Sequence, residues 1–325
     1  MDVIRYKEIL EEARRAEHPL LVCDERIDGD SLGSALAFVD LFKQLGLPRP
    51  RVFVAADIPA VYHHLPHLDT TTRDATMFSD PTVDLVIVFD CSDDAYVERL
   101  LERAPLRPKV INIDHHKTNA LYGDINLVVV DAPATAEVVY QLFDANGLTP
   151  SAQAAACLLT GLCFDTTAFS NSATNERALE TASRLVLCGA RVQDALRSLF
   201  KSRSVSALRV WGSALERLHL HPDYGAVITC ITREDLEKNA IGEEEVEGLS
   251  NFLSLVTDTD SLFVLRETPE GDVKVSMRSQ TRDVSEIARE KGGGGHARAA
   301  GYTVKGARLA CGEDGCWRVE LKEKK

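Results

Sequence analysis

Apolar and polar positions along this chain fall into two textures. In the first half, short uninterrupted apolar runs alternate with amphipathic stretches. Pro19 to Cys23, Arg51 to Val54, Val83 to Phe89, Val110 to Ile113 and Asn126 to Val130 read as buried strands. Helices are expected over 8 to 16, Leu32 to Leu45, Ala95 to Arg103, from near Thr135 through Leu142, 151 to 164, and Asn175 to Leu187 with a capping glycine at Gly189. Strands alternating with helices predict an α/β domain built on a parallel sheet.

The second texture begins after residues 191 to 218, whose helical spacing (Leu196, Leu199, Phe200, Leu208, Trp211, Leu215) reads as a helical linker. Beyond it, period-two alternation in Tyr224 to Cys230, Ser261 to Leu265 and Val273 to Arg278 predicts a mixed sheet, with helices at 232 to 239, 244 to 255 and 283 to 290. The expected organisation is an α/β domain over 1 to 190, the linker over 191 to 218, and a smaller mixed-sheet α/β domain over 219 to 325. A length of 325 residues suits two cores rather than one.

The predicted strands of the first domain end in acids and imidazoles. The first runs into Asp24-Glu25-Arg26-Ile27-Asp28-Gly29-Asp30-Ser31, the Val83 strand into Asp90-Cys91-Ser92-Asp93, and the Val110 strand into Asp114-His115-His116. Two adjacent histidines on one loop would mean little. Three strand ends of one parallel sheet sharing such residues imply a common site, because ligands gather at the carboxyl edge of open α/β sheets. In extended backbone Asp28 and Asp30 project to one side, and Ser31 or Asp30 can cap the following helix. Asp165 follows an apolar helix, where a buried carboxylate demands a partner or a metal; the alternative is an N-cap for a following turn.

In the second domain, Lys291 to Gly301 contains four consecutive glycines followed by His296 and Arg298. It reads as a glycine-rich turn opening onto a helix N-terminus, whose free N–H groups suit a phosphate. Arg278 at a strand end would add a bidentate contact.

Composition narrows the partners. A net charge of −13 argues against a sequence-independent grip on duplex DNA, and a metal-binding carboxylate cluster would account for part of that acidity. No run approaches the length of a membrane span and the start lacks a secretory h-region, so a soluble cytoplasmic protein is expected. Most of the eight cysteines fall in apolar segments; Cys311 and Cys316 flank a turn and either meet incidentally there, close a small disulfide or contribute to a metal site.

These motifs in this order resemble the DHH phosphoesterase family, in its oligoribonuclease and pAp-phosphatase (NrnA-type) branch, over nearly the whole chain. The supporting residues are Asp28 to Ser34, Asp90, Asp114-His115-His116, Asp165-Thr166, Ser276 to Ser279, and Gly292 to Gly301. The resemblance implies a DHH catalytic domain, a DHH-associated substrate-binding domain, and two divalent ions, manganese before magnesium. Asp28, Asp30, Asp90, His115 and Asp165 would be ligands, with Asp90 bridging. His116 would contact the scissile phosphate, and Asp114, His115 and His116 would form the catalytic motif. Arg278, Gly293, Gly294, Gly295, His296 and Arg298 would hold the substrate. That substrate would be very short RNA, a linear dinucleotide such as pApA or pGpG, or pAp, and the resemblance suggests a homodimer.

The chain departs from the family pattern where Asp24 replaces a histidine, Ile27 a common proline and Thr167 a glycine. Asp24 can still ligate a hard cation through oxygen. Two other readings compete: a nucleotide-binding module with a degraded metal site, and an inorganic pyrophosphatase, which the glycine-rich motif disfavours.

Overall fold

The computed structural model describes residues 2–200, 204–221, 225–312 and 315–322. The chain forms two compact units, Met1–Ser202 and Arg203–Lys325.

The first unit runs α1 (Asp2–Arg15), β1 (Pro19–Cys23), α2 (Gly29–Gln44), β2 (Arg51–Phe53), β3 (Thr71–Thr72), β4 (Leu85–Phe89), α3 (Asp94–Leu101), β5 (Lys109–Asp114), β6 (Ile125–Val128), α4 (Thr135–Ala145), α5 (Ala152–Asp165), α6 (Glu176–Leu187) and α7 (Val192–Phe200). Its six strands are all parallel, in the order β3-β2-β1-β4-β5-β6. Alternation decides the layers. Leu21 and Cys23 of β1 and Leu85, Ile87 and Phe89 of β4 point into the core shared with α2, α4 and α5. Leu20, Val22, Val86 and Val88 point to the opposite core with Phe53, Phe78 and Tyr96. Strand order reverses between β1 and β4, and Cys23 pairs with Phe89, which pairs with Ile113. The carboxyl ends of β1, β4 and β5 are therefore level at a topological switch point, where such sheets open a crevice.

Two local expectations are corrected. α2 begins at Gly29 and is capped by Asp28, whose carboxylate accepts from the N–H groups of Asp30 and Ser31. Asp28 and Asp30 thus sit on either side of a helix start rather than side by side in extended chain. Asp165 is the last residue of α5, with Thr166 as its C-cap, so it caps no following turn.

The second unit runs α8 (Val205–Glu216), β7 (His219–His221), β8 (Ala226–Ile231), α9 (Arg233–Asn239), α10 (Leu249–Val256), β9 (Ser261–Glu267), β10 (Val273–Ser279), α11 (Val284–Glu290), β11 (Gly294–His296), β12 (Ala299–Val304), β13 (Ala307–Cys311) and β14 (Trp317–Leu321). Its mixed sheet has the order β11-β12-β10-β9-β8-β7, with only β8 and β9 parallel, and β13 and β14 form a separate hairpin. One core lies on each face. In the segment read as a linker, α7 packs on α5 and α8 packs on β8. The helix expected over 244 to 255 is a 3₁₀ turn at Glu243–Val246 followed by α10.

The glycine-rich run does not open onto a helix. Gly292 leaves α11 in the left-handed region (φ 75°), Gly293 N–H closes onto the Ala288 carbonyl, and the chain enters the β11–β12 hairpin. A Cβ at Gly293 would overlap the carbonyl of Gly301, so the glycines serve close strand approach. Cys311 ends β13 and Cys316 directly precedes β14, at the neck of that hairpin. No helix among the described residues is long and apolar enough to cross a membrane.

Candidate metal and phosphoester site

The site starts from β5. Buried Asp114 ends the strand, and its Oδ1 accepts from the backbone N–H groups of His115 (2.7 Å) and His116 (3.0 Å) and from Nδ1 of His116 (2.8 Å). Its Oδ2 accepts from the Asn119 amide at 2.5 Å. Burial alone would raise the Asp114 carboxyl, but His116 and Asn119 hold it below the usual carboxylate range. Asp114 therefore shapes the turn that presents the two imidazoles.

His115 turns inward. Its Nδ1 lies 3.1 Å from the Ala132 carbonyl, which in the neutral ring fixes the proton on Nδ1 and leaves Nε2 as a lone pair. That Nε2 stands 2.9 Å from Oδ2 of Asp165 and 3.6 Å from Oδ1 of Asp90. The atom is buried, and Asp165 is the nearer of the two carboxylates.

Around this nitrogen the acids converge. Asp30 is fully buried on α2, and its carboxylate accepts from the N–H groups of Thr135 (2.6 Å) and Ala136 (2.8 Å). It thereby caps α4, whose own N-cap residue, Ala134, offers no side-chain oxygen. Asp90 follows β4 in the left-handed region (φ 60°), a conformation uncommon for a residue with a Cβ. Thr135 Oγ1 donates to its Oδ1 at 2.9 Å. Asp30, His115 and Asp165 place ligand atoms within 4.8 Å of one another, as do Asp90, His115 and His116.

Crowding shows in the titration behaviour. Burial first, then the charge of Asp165, pushes Asp28 up to about 6 and holds Asp30 well above the usual carboxylate range. Asp90 is raised by burial and by Asp30. Burial opposes charge on His115, yet Asp165 and Asp30 bring it up to about 9. A concave set of carboxylates that repel one another, facing an imidazole lone pair, has the complementarity of a divalent cation.

Residues 20 to 162 match the model of the DHH family, N-terminal domain, and residues 227 to 311 match the DHHA1 domain. The chain is 32% identical over 288 residues to the bifunctional oligoribonuclease and PAP phosphatase NrnA of Thermus thermophilus, covering 87% of this chain and 82% of that protein. The chain belongs to the DHH family.

The bifunctional oligoribonuclease and PAP phosphatase NrnA of Bacillus subtilis is 24% identical over 286 residues, covering 86% of this chain and 87% of that one. Among solved structures, an exopolyphosphatase-related protein from Bacteroides fragilis superposes with a TM-score of 0.84 at 23% identity, over 93% of this chain and 92% of that one, which shows a shared fold. DHH phosphoesterases depend on divalent metal, and the donor set here fits one: mixed carboxylate and imidazole groups converging on the buried Nε2 of His115.

Of the ligands expected from sequence, Asp30, Asp90, His115 and Asp165 come together, with His116 beside them. Asp28 is bound up in capping α2, and Asp24 accepts from the Arg26 N–H at 2.8 Å; neither falls in a metal-competent group among the described residues. Thr135, Asn119 and the Ala132 carbonyl, which orient Asp90, Asp114 and His115, were not singled out in the sequence.

In the second unit, Arg278 of β10 pairs with Ala299 of β12, which pairs with His296 of β11. One cross-strand row thus carries Arg278 and His296; the His296 side chain lies outside the described residues. Arg298 occupies the turn beside them, donating to the Arg282 carbonyl at 3.3 Å. Arg278 Nε donates to Oδ1 of Asn251 at 2.9 Å and Nη1 to the Met277 carbonyl at 2.8 Å, and burial lowers its pKa.

Proposed function

We propose that this chain is a metal-dependent phosphoesterase acting on very short RNA, on linear dinucleotides such as pApA or pGpG, and on pAp. The observation that carries the reading is the buried Nε2 of His115 drawn in among Asp30, Asp90 and Asp165, in a chain similar over most of its length to proteins named oligoribonuclease and PAP phosphatase.

In this reading Asp28, Asp30, Asp90, His115 and Asp165 hold two divalent ions, with Asp24 as an oxygen donor in place of the histidine. Manganese is preferred over magnesium, because imidazole is a better ligand for the softer ion. Bound cations supply charge that neutralises the phosphate and makes water acidic enough to attack phosphorus at neutral pH. His116, with a side chain 36% exposed and Nδ1 turned to Asp114, directs Nε2 outward to the scissile phosphate. Residues 1 to 190 form the catalytic domain and 219 to 325 the substrate-binding one, where Arg278, Gly293 to Gly295, His296 and Arg298 take the substrate. We assign the protein to the cytoplasm, as a homodimer.

Pure protein incubated with Mn²⁺ and labelled pApA is expected to release AMP, and an Asp114→Ala control to be strongly impaired. Absence of product from both would overturn the reading. Dinucleotide binding without turnover, unchanged by Asp24→His, would favour the nucleotide-binding module instead. Phosphate release from pyrophosphate alone would favour a pyrophosphatase.

A further inference from the structure

Three helices of the first unit meet at Gly161. It lies buried one turn before the end of α5, and a Cβ built there would stand 2.7 Å from Oδ1 of Asp30 on α2, 3.1 Å from the Asp30 Cα and 2.9 Å from the Cβ of Ala136 on α4. Non-bonded carbon atoms settle at about 3.5–4.0 Å, so the position has no room for a side chain. A second glycine repeats the contact from the other helix: a Cβ at Gly33 of α2 would stand 2.5 Å from the Cys157 carbonyl oxygen of α5. The two helices therefore approach to backbone contact, which only glycine permits.

Asp30 is fixed on its other side. Its carboxylate accepts from the N–H groups of Thr135 (2.6 Å) and Ala136 (2.8 Å), so moving it away from α5 disturbs the cap of α4. Thr135 Oγ1 in turn donates to Asp90 at 2.9 Å. Asp165, four residues after Gly161, lies on the same face of α5 and ends it. The contact at Gly161 thus bears on Asp30 directly, on Asp165 one turn along its own helix, and on Asp90 through Thr135.

We propose that Gly161 is a positioning residue that sets the spacing of Asp30 and Asp165 and so fits the site to an ion the size of Mn²⁺ or Mg²⁺ rather than Ca²⁺. The inference rests on the metal site proposed above. Mg²⁺ takes oxygen ligands at about 2.0–2.1 Å and Ca²⁺ at about 2.3–2.6 Å, so a few tenths of an ångström between two ligand-bearing helices decide which ion is held. Close-packed interiors yield little, and a methyl group at residue 161 is accommodated by moving Asp30 away from α5, which widens the site.

Calorimetric titration of Mn²⁺ and of Ca²⁺ into the full-length, EDTA-stripped protein tests the proposal. Gly161→Ala is expected to weaken Mn²⁺ binding by about 10–100-fold, the scale for disturbing groups that orient metal ligands, while Ca²⁺ binding weakens less or strengthens. The ratio of the two affinities separates positioning from folding, since a merely destabilised variant loses both ions alike. Gly212→Ala on α8, where a Cβ meets nothing, is expected to keep both affinities at wild-type values. If the single variant does not fold, Gly161→Ala combined with Ala136→Gly removes the overlap with α4, keeps the one with Asp30, and is expected to show the same shift. An unchanged Mn²⁺-to-Ca²⁺ ratio in a folded variant, with the wild type binding Mn²⁺, would overturn the proposal and leave the metal site standing. A wild type that binds neither ion would overturn both. A shifted ratio in a protein that cleaves no pApA supports the role of Gly161 and removes the proposed activity.

Discussion

Oδ2 of Asp165, the last residue of α5, lies 2.9 Å from Nε2 of His115, one residue past the end of β5. With the Nδ1 proton directed at the Ala132 carbonyl, the neutral ring brings a lone pair against a carboxylate. A proton or a cation must lie between them.

That pair gives the first prediction. His115→Ala should lower Mn²⁺ affinity and turnover by more than about 100-fold, since even partners outside the metal's immediate ligands cost roughly 10–100-fold. Calorimetric Mn²⁺ titration reads the first loss and pApA hydrolysis the second. Wild-type Mn²⁺ affinity in the variant would remove His115 from the ligand set.

Stability without metal should fall as pH rises. Asp28 is raised from 3.8 to about 6, so its stabilising contribution is complete below 3.8 and lost as pH rises through about 6. His115 is raised from 6.5 to about 9, so its contribution is complete below 6.5 and lost as pH rises through about 9. Both act in one direction, and raised Asp30 and Asp90 add to it. Thermal melts in EDTA from about pH 5 to about pH 9 should show a declining midpoint that Mn²⁺ largely restores. A flat profile would contradict the crowding.

Asp28→Asn separates structure from charge. Asparagine caps a helix about as well as aspartate, so α2 keeps its first turn while one repelling carboxylate disappears. The metal-free variant should melt above the wild type at neutral pH, yet gain less from Mn²⁺. Scanning calorimetry with and without the ion checks both halves.

Asn251 holds Arg278 by a 2.9 Å hydrogen bond from one helix to one strand. Asn251→Ala should raise KM for pApA by about tenfold, the scale of a charged hydrogen bond, with Mn²⁺ affinity unchanged. Arg298→Ala should behave alike. Equal losses of metal and substrate affinity would contradict the division of labour between the two units.

The parallel sheet was readable because its strands are short apolar runs, and the site because three of them end in acids or imidazoles. What escaped was conformation decided by pairing and packing partners. Asp30 looked like a local cap or an extended-chain ligand, whereas it caps α4, 105 residues on. Gly161 carried no signal, yet a Cβ there would lie 2.7 Å from Oδ1 of Asp30. The four glycines and His296 suggested a helix start, but hairpin register with Gly301 decides their shape. The Asp30 and Gly161 misses concern contacts between segments far apart in sequence, and the glycine-run miss a local hairpin register; periodicity encodes neither.

The central claim is that Asp30, Asp90, His115 and Asp165 converge to hold divalent metal. Anomalous diffraction at the manganese absorption edge, from crystals grown with Mn²⁺, tests it most directly. The account predicts anomalous peaks bonded to His115 Nε2 and to the carboxylates of Asp90, Asp30 and Asp165. A map with no peak at His115 Nε2, under Mn²⁺ concentrations that support hydrolysis, would contradict it.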